Sequence, residues 1–231
     1  MSRIALKKKL AAELPSAPFS KLGEILSPYK EQQLLNPLFS FICSVDEVLR
    51  WRAVSAFGII VPRIAEKNIE SARMIMRRFL WSLNDESGGI GWGAPESMAE
   101  IMCFHEGLRG EYLHMLLSYL REDGDEPFQD GNQLELPQLQ QGALWGVGRL
   151  AEKYPDLLRE EDIIADLLPY LDSGDLQVVG LALRIFYFLK EPLSVRFREK
   201  CLESTEIIRV YEDGEFSDIS LGSIVESFLS L

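Results

Sequence analysis

This chain of 231 residues is poor in several things, and each shortage removes a class of function. It has two histidines, His105 and His114, and three cysteines, Cys43, Cys103 and Cys201. The cysteines lie far apart in apolar helical segments without Cys-x-x-Cys spacing, which reads as buried free thiols in a reducing cytoplasm. Basic residues are in deficit: 24 Lys and Arg face 36 Asp and Glu, for a net charge of −12 and an isoelectric point near 4.7. Nucleic-acid affinity rests largely on neutralising phosphates, so such a chain is a poor DNA or RNA binder and no nucleic acid is expected. No apolar run approaches the ~18 residues of a membrane span. The start, Ser2-Arg-Ile-Ala-Leu-Lys-Lys-Lys-Leu10, has positive charge but no apolar stretch for a signal peptide. A soluble, cytoplasmic protein is expected. There is no G-x-S-x-G, and no histidine near a nucleophile to make a triad. The glycines between Gly88 and Gly93 are followed by no Lys-Ser/Thr, and Asp85 and Glu86 would repel a phosphate.

With 47% hydrophobic and 26% charged residues, the chain can bury a sizeable core. Four alanines recur in similar settings: Ala53, Ala99, Ala143 and Ala182, at intervals of 99−53 = 46, 143−99 = 44 and 182−143 = 39 residues. The clearest pair is Asp46-x-x-Val-Leu-Arg-x-x-Ala53-x-x-x-Phe57 against Asp175-x-x-Val-Val-Gly-x-x-Ala182-x-x-x-Phe186. Intervals near 40–47 residues are those of stacked two-helix repeats. The second helix of each hairpin needs a small residue where its neighbours approach. The expectation is an all-α superhelix of about four helical hairpins in one right-handed solenoid domain spanning 1–231, with cap helices over 1–33, repeats over 34–190 and a C-terminal cap over 191–231.

Local signals place the elements. An amphipathic helix is expected over 2–14 and a second over 20–26. Asn36-Pro37 is expected to open the first hairpin, Asp46 to cap its second helix, and Pro62 to kink that helix or mark its last turns. Asn68 caps a helix over 69–83, and Pro95 suits the first position of its partner. The third hairpin pairs 111–121 with 137–154, and the fourth pairs 161–171 with 176–189. Gly142, Gly146 and Gly148 within one helix, each costing about 1 kcal/mol relative to alanine, imply that a neighbouring helix or the 123–136 loop packs closely there. Arg184 interrupts an apolar helix, as a salt bridge to an acid on an adjacent helix or as a ligand contact. Beyond 193–203 the period shifts to two around Glu212-Asp-Gly-Glu215, a β-hairpin signal.

Two connections exceed the about 2–8 residues usual between helices: residues 84–94, with four glycines, and residues 123–136. Both join first to second helices of adjacent repeats, so they should touch on one rim, with Arg77 or Arg78 bonded to one of them. Long loops of this composition are often functional. The alternative is a rigid plug in which the arginines bind loop carboxylates and carbonyls.

The run Arg77-Arg-Phe-Leu-Trp-Ser-Leu-Asn-Asp-Glu-Ser-Gly-Gly-Ile-Gly-Trp-Gly-Ala-Pro-Glu96 resembles the hallmark of a small bacterial family of HEAT-repeat proteins with no assigned activity. Asn36-Pro-Leu-Phe-Ser40, Trp51-Arg-Ala-Val54, Asp130-Gly-Asn132 with Leu134-Glu135, and Trp145-Gly-x-Gly-Arg-Leu150 resemble its other motifs, over about residues 34–190. The resemblance implies a HEAT-like, armadillo-like α-solenoid and no particular chemistry. HEAT-repeat hydroxylases hold two irons with paired His-Glu motifs. Here only His105-Glu106 has that form, and His105 falls on an apolar stripe with Met98, Ile101 and Leu108. A core histidine is the better account, with Glu96 and Glu100 as a solvated or salt-bridged pair, so no metal and no cofactor are expected.

The leading expectation is a non-enzymatic scaffold that binds a protein partner, one with a basic segment, at the rim of the two long loops. Its candidate residues are Arg77, Arg78, Trp81, Asn84, Asp85, Glu86, Ser87, Trp92, Glu96, Glu100, Asn132, Glu135 and Trp145. The tryptophans suit interface anchors or plain core packing. The alternative is a metal-dependent enzyme or regulator using Glu96, Glu100, His105 and Glu135.

Overall fold

A computed structural model describes residues 2–84, 91–122 and 132–228. They divide into two compact units, 1–113 and 114–231. Among the described residues the architecture is helical, with one two-stranded antiparallel sheet near the C-terminal end. No helix among them is long and apolar enough to cross a membrane.

The first unit begins with α1 (Arg3–Ser16), a one-turn 3-10 helix and α2 (Leu22–Leu26). Its first hairpin is α3 (Glu31–Phe41) and α4 (Glu47–Lys67), and its second is α5 (Ile69–Leu83) and α6 (Ala94–Phe104). Asp46 and Asn68 cap as expected, accepting from Leu49 N at 3.0 Å and Ser71 N at 3.1 Å. The opening of α3 is a correction. It starts at Glu31, with the Gln33 side chain accepting from Lys30 N at 3.2 Å, and it runs through Pro37. Pro37 is buried, so packing holds a helix that its missing N–H weakens. Pro62 likewise lies inside α4. The centre of this core is an aromatic triad, Phe39, Phe57 and Phe79, with ring centroids 4.7–5.0 Å apart.

Helix α7 (Glu106–Ser118) crosses the boundary between the units. The second unit continues with α8 (Pro137–Lys153), α9 (Pro155–Glu160), α10 (Ile164–Leu171), α11 (Leu176–Leu189) and α12 (Val195–Leu202). It ends in β1 (Ile207–Glu212), β2 (Glu215–Ser220) and α13 (Leu221–Phe228). Asp213 and Gly214 both have positive φ, 45° and 95°, as the tight hairpin turn requires. The register pairs Ile208 with Ile219 and Val210 with Ser217. The second helices of each unit lie side by side, α4 with α6 and α8 with α11. All four recurrent alanines sit in them with no exposed surface. A β-carbon on Gly148 would stand 3.6 Å from Ile185 of α11, so the occupant beside that glycine is the neighbouring helix. Residues 132–134 return along the end of α7, with Asn132 N donating to Ser118 O and Leu134 N to Tyr119 O, both at 3.1 Å.

Candidate functional site

Sequence places Glu96, Glu100 and Cys103 on one face of α6, and packing turns that face inward. Gly93 precedes α6 in the left-handed region, φ 72°, where a β-carbon would approach Ile42 Cβ to 2.7 Å. Only glycine tolerates both demands. Ser97, buried one turn on, donates to Gly93 O at 2.5 Å and fixes the start of the helix. Further along, Gly58 of α4 gives way to Glu100. A β-carbon there would lie 3.1 Å from Glu100 Cβ and 3.2 Å from Glu100 Oε2. Glu100 is therefore 6% exposed, against an interior helix face.

Glu96 is the more unusual acid. Its Oε2 is closed to solvent and has no hydrogen-bond partner among the described residues. Burial pushes its carboxyl up to about 7, opposed by its backbone hydrogen bond and by Arg50. A carboxyl sealed from water favours its neutral form. Arg50 is half-buried and lies 3.9 Å from Glu47. The expectation of a solvated pair is thus corrected: Glu100 is buried and Glu96 Oε2 is closed to solvent. Glu100 is drawn into the α4–α6 contact because glycine at position 58 leaves room for it, while glycine at position 93 lets the start of α6 close on Ile42 at the end of α3. Trp92, two residues before α6, is 38% exposed. Cys103 and Cys201 are buried thiols outside any disulfide, whereas Cys43 is only half-buried.

The remaining candidates scatter. Trp81 on α5 is 70% exposed. Among the described residues, the partners of Arg77 and Arg78 lie on α5 and α3. Arg77 pairs with Glu70 at 3.0 Å, two turns back on its own helix. Arg78 reaches Asn36 Oδ1 at 3.4 Å and lies over the Phe39 ring at 3.7 Å. Asn84 is exposed, while Asp85, Glu86 and Ser87 lie outside the described residues. So does the expected contact between the two long loops, which falls on residues 85–90 and 123–131. Asn132 and Glu135 are exposed in the second unit. His105 is a helix cap, its Nδ1 accepting from Leu108 N at 3.1 Å, which corrects its reading as a core residue. Among the described residues no group of three or more His, Cys, Asp or Glu side chains could hold a metal ion.

In the second unit the second helices already hold an extended segment, strand β1. Gln177 of α11 pairs with the Arg209 backbone twice, its Nε2 donating to Arg209 O at 2.7 Å and its Oε1 accepting from Arg209 N at 3.0 Å. Two residues along, Trp145 Nε1 donates to Tyr211 O at 2.9 Å. Arg149 binds Asp213 at 2.9 Å, and Arg184 binds Glu212. Arg184 does form a salt bridge, but to the strand rather than to an adjacent helix. Ile208 fills the space over Gly180, where a β-carbon would meet it at 2.6 Å. Trp145, 8% exposed, is thereby committed within the unit. Residue spacing signalled the hairpin; its seat on α8 and α11 depends on Gly180 and Gln177, for which no periodicity speaks.

No family model matches the chain. It is similar to an uncharacterized protein of Archaeoglobus fulgidus, 27% identical over 202 residues, covering 81% of this chain and 91% of that one. Among solved structures it resembles a computationally designed armadillo repeat protein for modular peptide recognition, with a TM-score of 0.52 and 15% identity over 98% of this chain and 91% of that one. It also resembles an engineered protein, TM-score 0.56 and 16% identity over 100% and 91%. A third is a designed armadillo repeat protein in complex with the peptide (KR)4, TM-score 0.56 and 16% identity over 98% and 91%. At such identities the likeness is one of fold, a helical-repeat architecture.

Proposed function

We propose that the protein is a non-enzymatic interaction scaffold that captures a basic segment of a protein partner at the Glu96–Glu100 site. One observation carries this reading. Glu96 presents a carboxylate oxygen that is closed to water and lacks a donor among the described residues. A buried acceptor without a partner is costly. A lysine or arginine side chain from a partner supplies the missing donor and returns the carboxyl to its ionised form. As a residue Glu96 keeps some exposure, so it lies at the edge of the core rather than at its centre. Trp92, four residues earlier in the chain, offers a part-exposed aromatic anchor. The net charge of −12 steers cationic segments toward the chain.

Two further facts support the reading. Helical repeats commonly present extended surfaces to protein segments, and a designed protein of the same architecture carries a Lys-Arg peptide. Within this chain, moreover, α8 and α11 grip an extended strand by side-chain bonds to its backbone.

The test is a calorimetric titration of a short Lys-Arg peptide, and of an acidic peptide of equal length, into the wild type and Glu96→Gln. The basic peptide binds the wild type, and the affinity falls as salt is raised. Binding weakens about tenfold or more in Glu96→Gln, the size of one charge-assisted bond. Equal binding by the variant, or by the acidic peptide, overturns the assignment.

A further inference from the structure

Two segments singled out in the sequence, Asn36–Ser40 and Arg77–Trp81, meet in the first unit at a place the Glu96 site does not use. Their helices, α3 and α5, face each other with matching stripes. Gln32, Leu35 and Phe39 lie at i, i+3 and i+7 on α3, and Ser71, Met74, Ile75 and Arg78 at i, i+3, i+4 and i+7 on α5. Between them runs a groove of about 260 Å³, floored by Ile64 of α4. The lining residues span seven positions on each helix, about 10 Å of helix.

The groove is apolar along its middle and polar at both ends. Gln32 and Ser71, both neutral, close one end. At the other stands the Arg78 guanidinium, held over the Phe39 ring at 3.7 Å, with the Phe39 ring in turn held by Phe57 and Phe79. Among the described residues no carboxylate lines the groove. The nearest acids of these helices are committed elsewhere, Glu70 to Arg73 and Arg77 and Glu31 to Lys67. Among the described residues Arg78 makes one long bond, 3.4 Å, to the neutral Asn36. A guanidinium carries five N–H donors, so most of its capacity is unspent, and ring stacking fixes the plane in which it is offered. Met74, 59% exposed, forms a pliable apolar wall.

We infer that this groove binds a medium-chain aliphatic carboxylate, its chain along Leu35, Ile64, Met74 and Ile75 and its carboxylate on Arg78. Charge complementarity selects the head group: the groove offers a fork-shaped cation and no anion. Size selects the chain, since the volume lies just under the about 300–1,000 Å³ of drug-sized pockets and matches one short aliphatic chain.

The probes are octanoate, octanol and octylamine, each kept below its micelle-forming concentration and followed by calorimetry and by the methionine methyl resonances of the full chain. Octanoate binds at low-millimolar concentration or better and shifts the Met74 methyl signal, assigned by its loss in Met74→Leu. Octanol binds about tenfold or more weakly, and octylamine not at all. Arg78→Gln reduces octanoate to the level of octanol, while Arg78→Lys restores part of the difference. If Arg78→Gln lowers the melting temperature, Met74→Glu, which puts an anion in the groove from an exposed position, serves as the second variant and abolishes octanoate binding. Octanoate and octanol binding equally, an unaltered affinity in a folded Arg78→Gln, or no binding of octanoate overturns the assignment.

Discussion

The second helices of the two units use polar side chains in opposite ways. In the second unit, Gln177, Trp145, Arg149 and Arg184 are all satisfied by the chain's own hairpin. Burial pulls the Arg184 guanidinium below its usual range, and Glu212 meets it there. In the first unit, Glu96 keeps an unpartnered carboxylate oxygen among the described residues, and burial holds its carboxyl near neutrality. The same helix-pair geometry, with glycine at the close approach, thus serves two ends. Where the chain supplies a strand of its own, the polar groups hold the fold together. Where the described residues supply no donor, the polar group is a cost to the fold that an incoming cation can relieve. A buried, unsatisfied acid is therefore a better pointer to binding than a buried tryptophan is, since Trp145 is fully explained by Tyr211.

The largest effect expected from this contrast is in the second unit. Trp145→Ala removes a buried aromatic and strands the Tyr211 carbonyl, so it should destabilise by about 3–5 kcal/mol. Denaturant unfolding measures this. A loss below about 1 kcal/mol would mean the hairpin is not held as the structure shows, and the contrast would lose its closed half.

The next effect has the opposite sign and belongs to the first unit. Glu96 titrates near 7 when folded and near 4.5 when unfolded. Between those values the folded state holds a proton that the unfolded state has released. Stability therefore falls as pH rises from about 4.5 to about 7 and stays lower above that. Glu96→Gln abolishes this loss. At pH 8 the variant should be more stable than the wild type by about 3 kcal/mol, and near pH 4 the two should match. Unfolding measured across the pH range checks it. A variant less stable at pH 8 would show that Glu96 is already paired in the folded protein, as Arg184 is.

Much of the architecture could be read from residue spacing, and the site largely could not. Recurrent alanines, the Asp46 and Asn68 caps and the Asp213-Gly214 turn are local or periodic signals, and each has its counterpart in the structure. Spacing also put Glu96 and Glu100 on one face of α6. Which way that face turns is decided by Gly58 and Gly93 against residues 42 and 100, a tertiary fit that no helical period encodes. Arg78 shows the same limit: it lies on α5 one to two turns before the 84–94 loop, but its described neighbours in space are Asn36 and Phe39, about forty positions earlier. His105, one residue before α7, was better judged by its boundary position than by its apolar stripe.

The central claim is that Glu96 gives up a proton when a basic segment binds. Calorimetric titration of the Lys-Arg peptide at pH 6.5, repeated in buffers of different ionisation enthalpy, counts the protons released per binding event. Near that pH the free carboxyl is mostly protonated, so a substantial fraction of one proton should leave the wild type and none should leave Glu96→Gln. Release should fade by pH 8.5, where the carboxyl is already ionised, while the affinity rises. Peptide binding without proton release at pH 6.5, or with equal release in Glu96→Gln, would contradict the account.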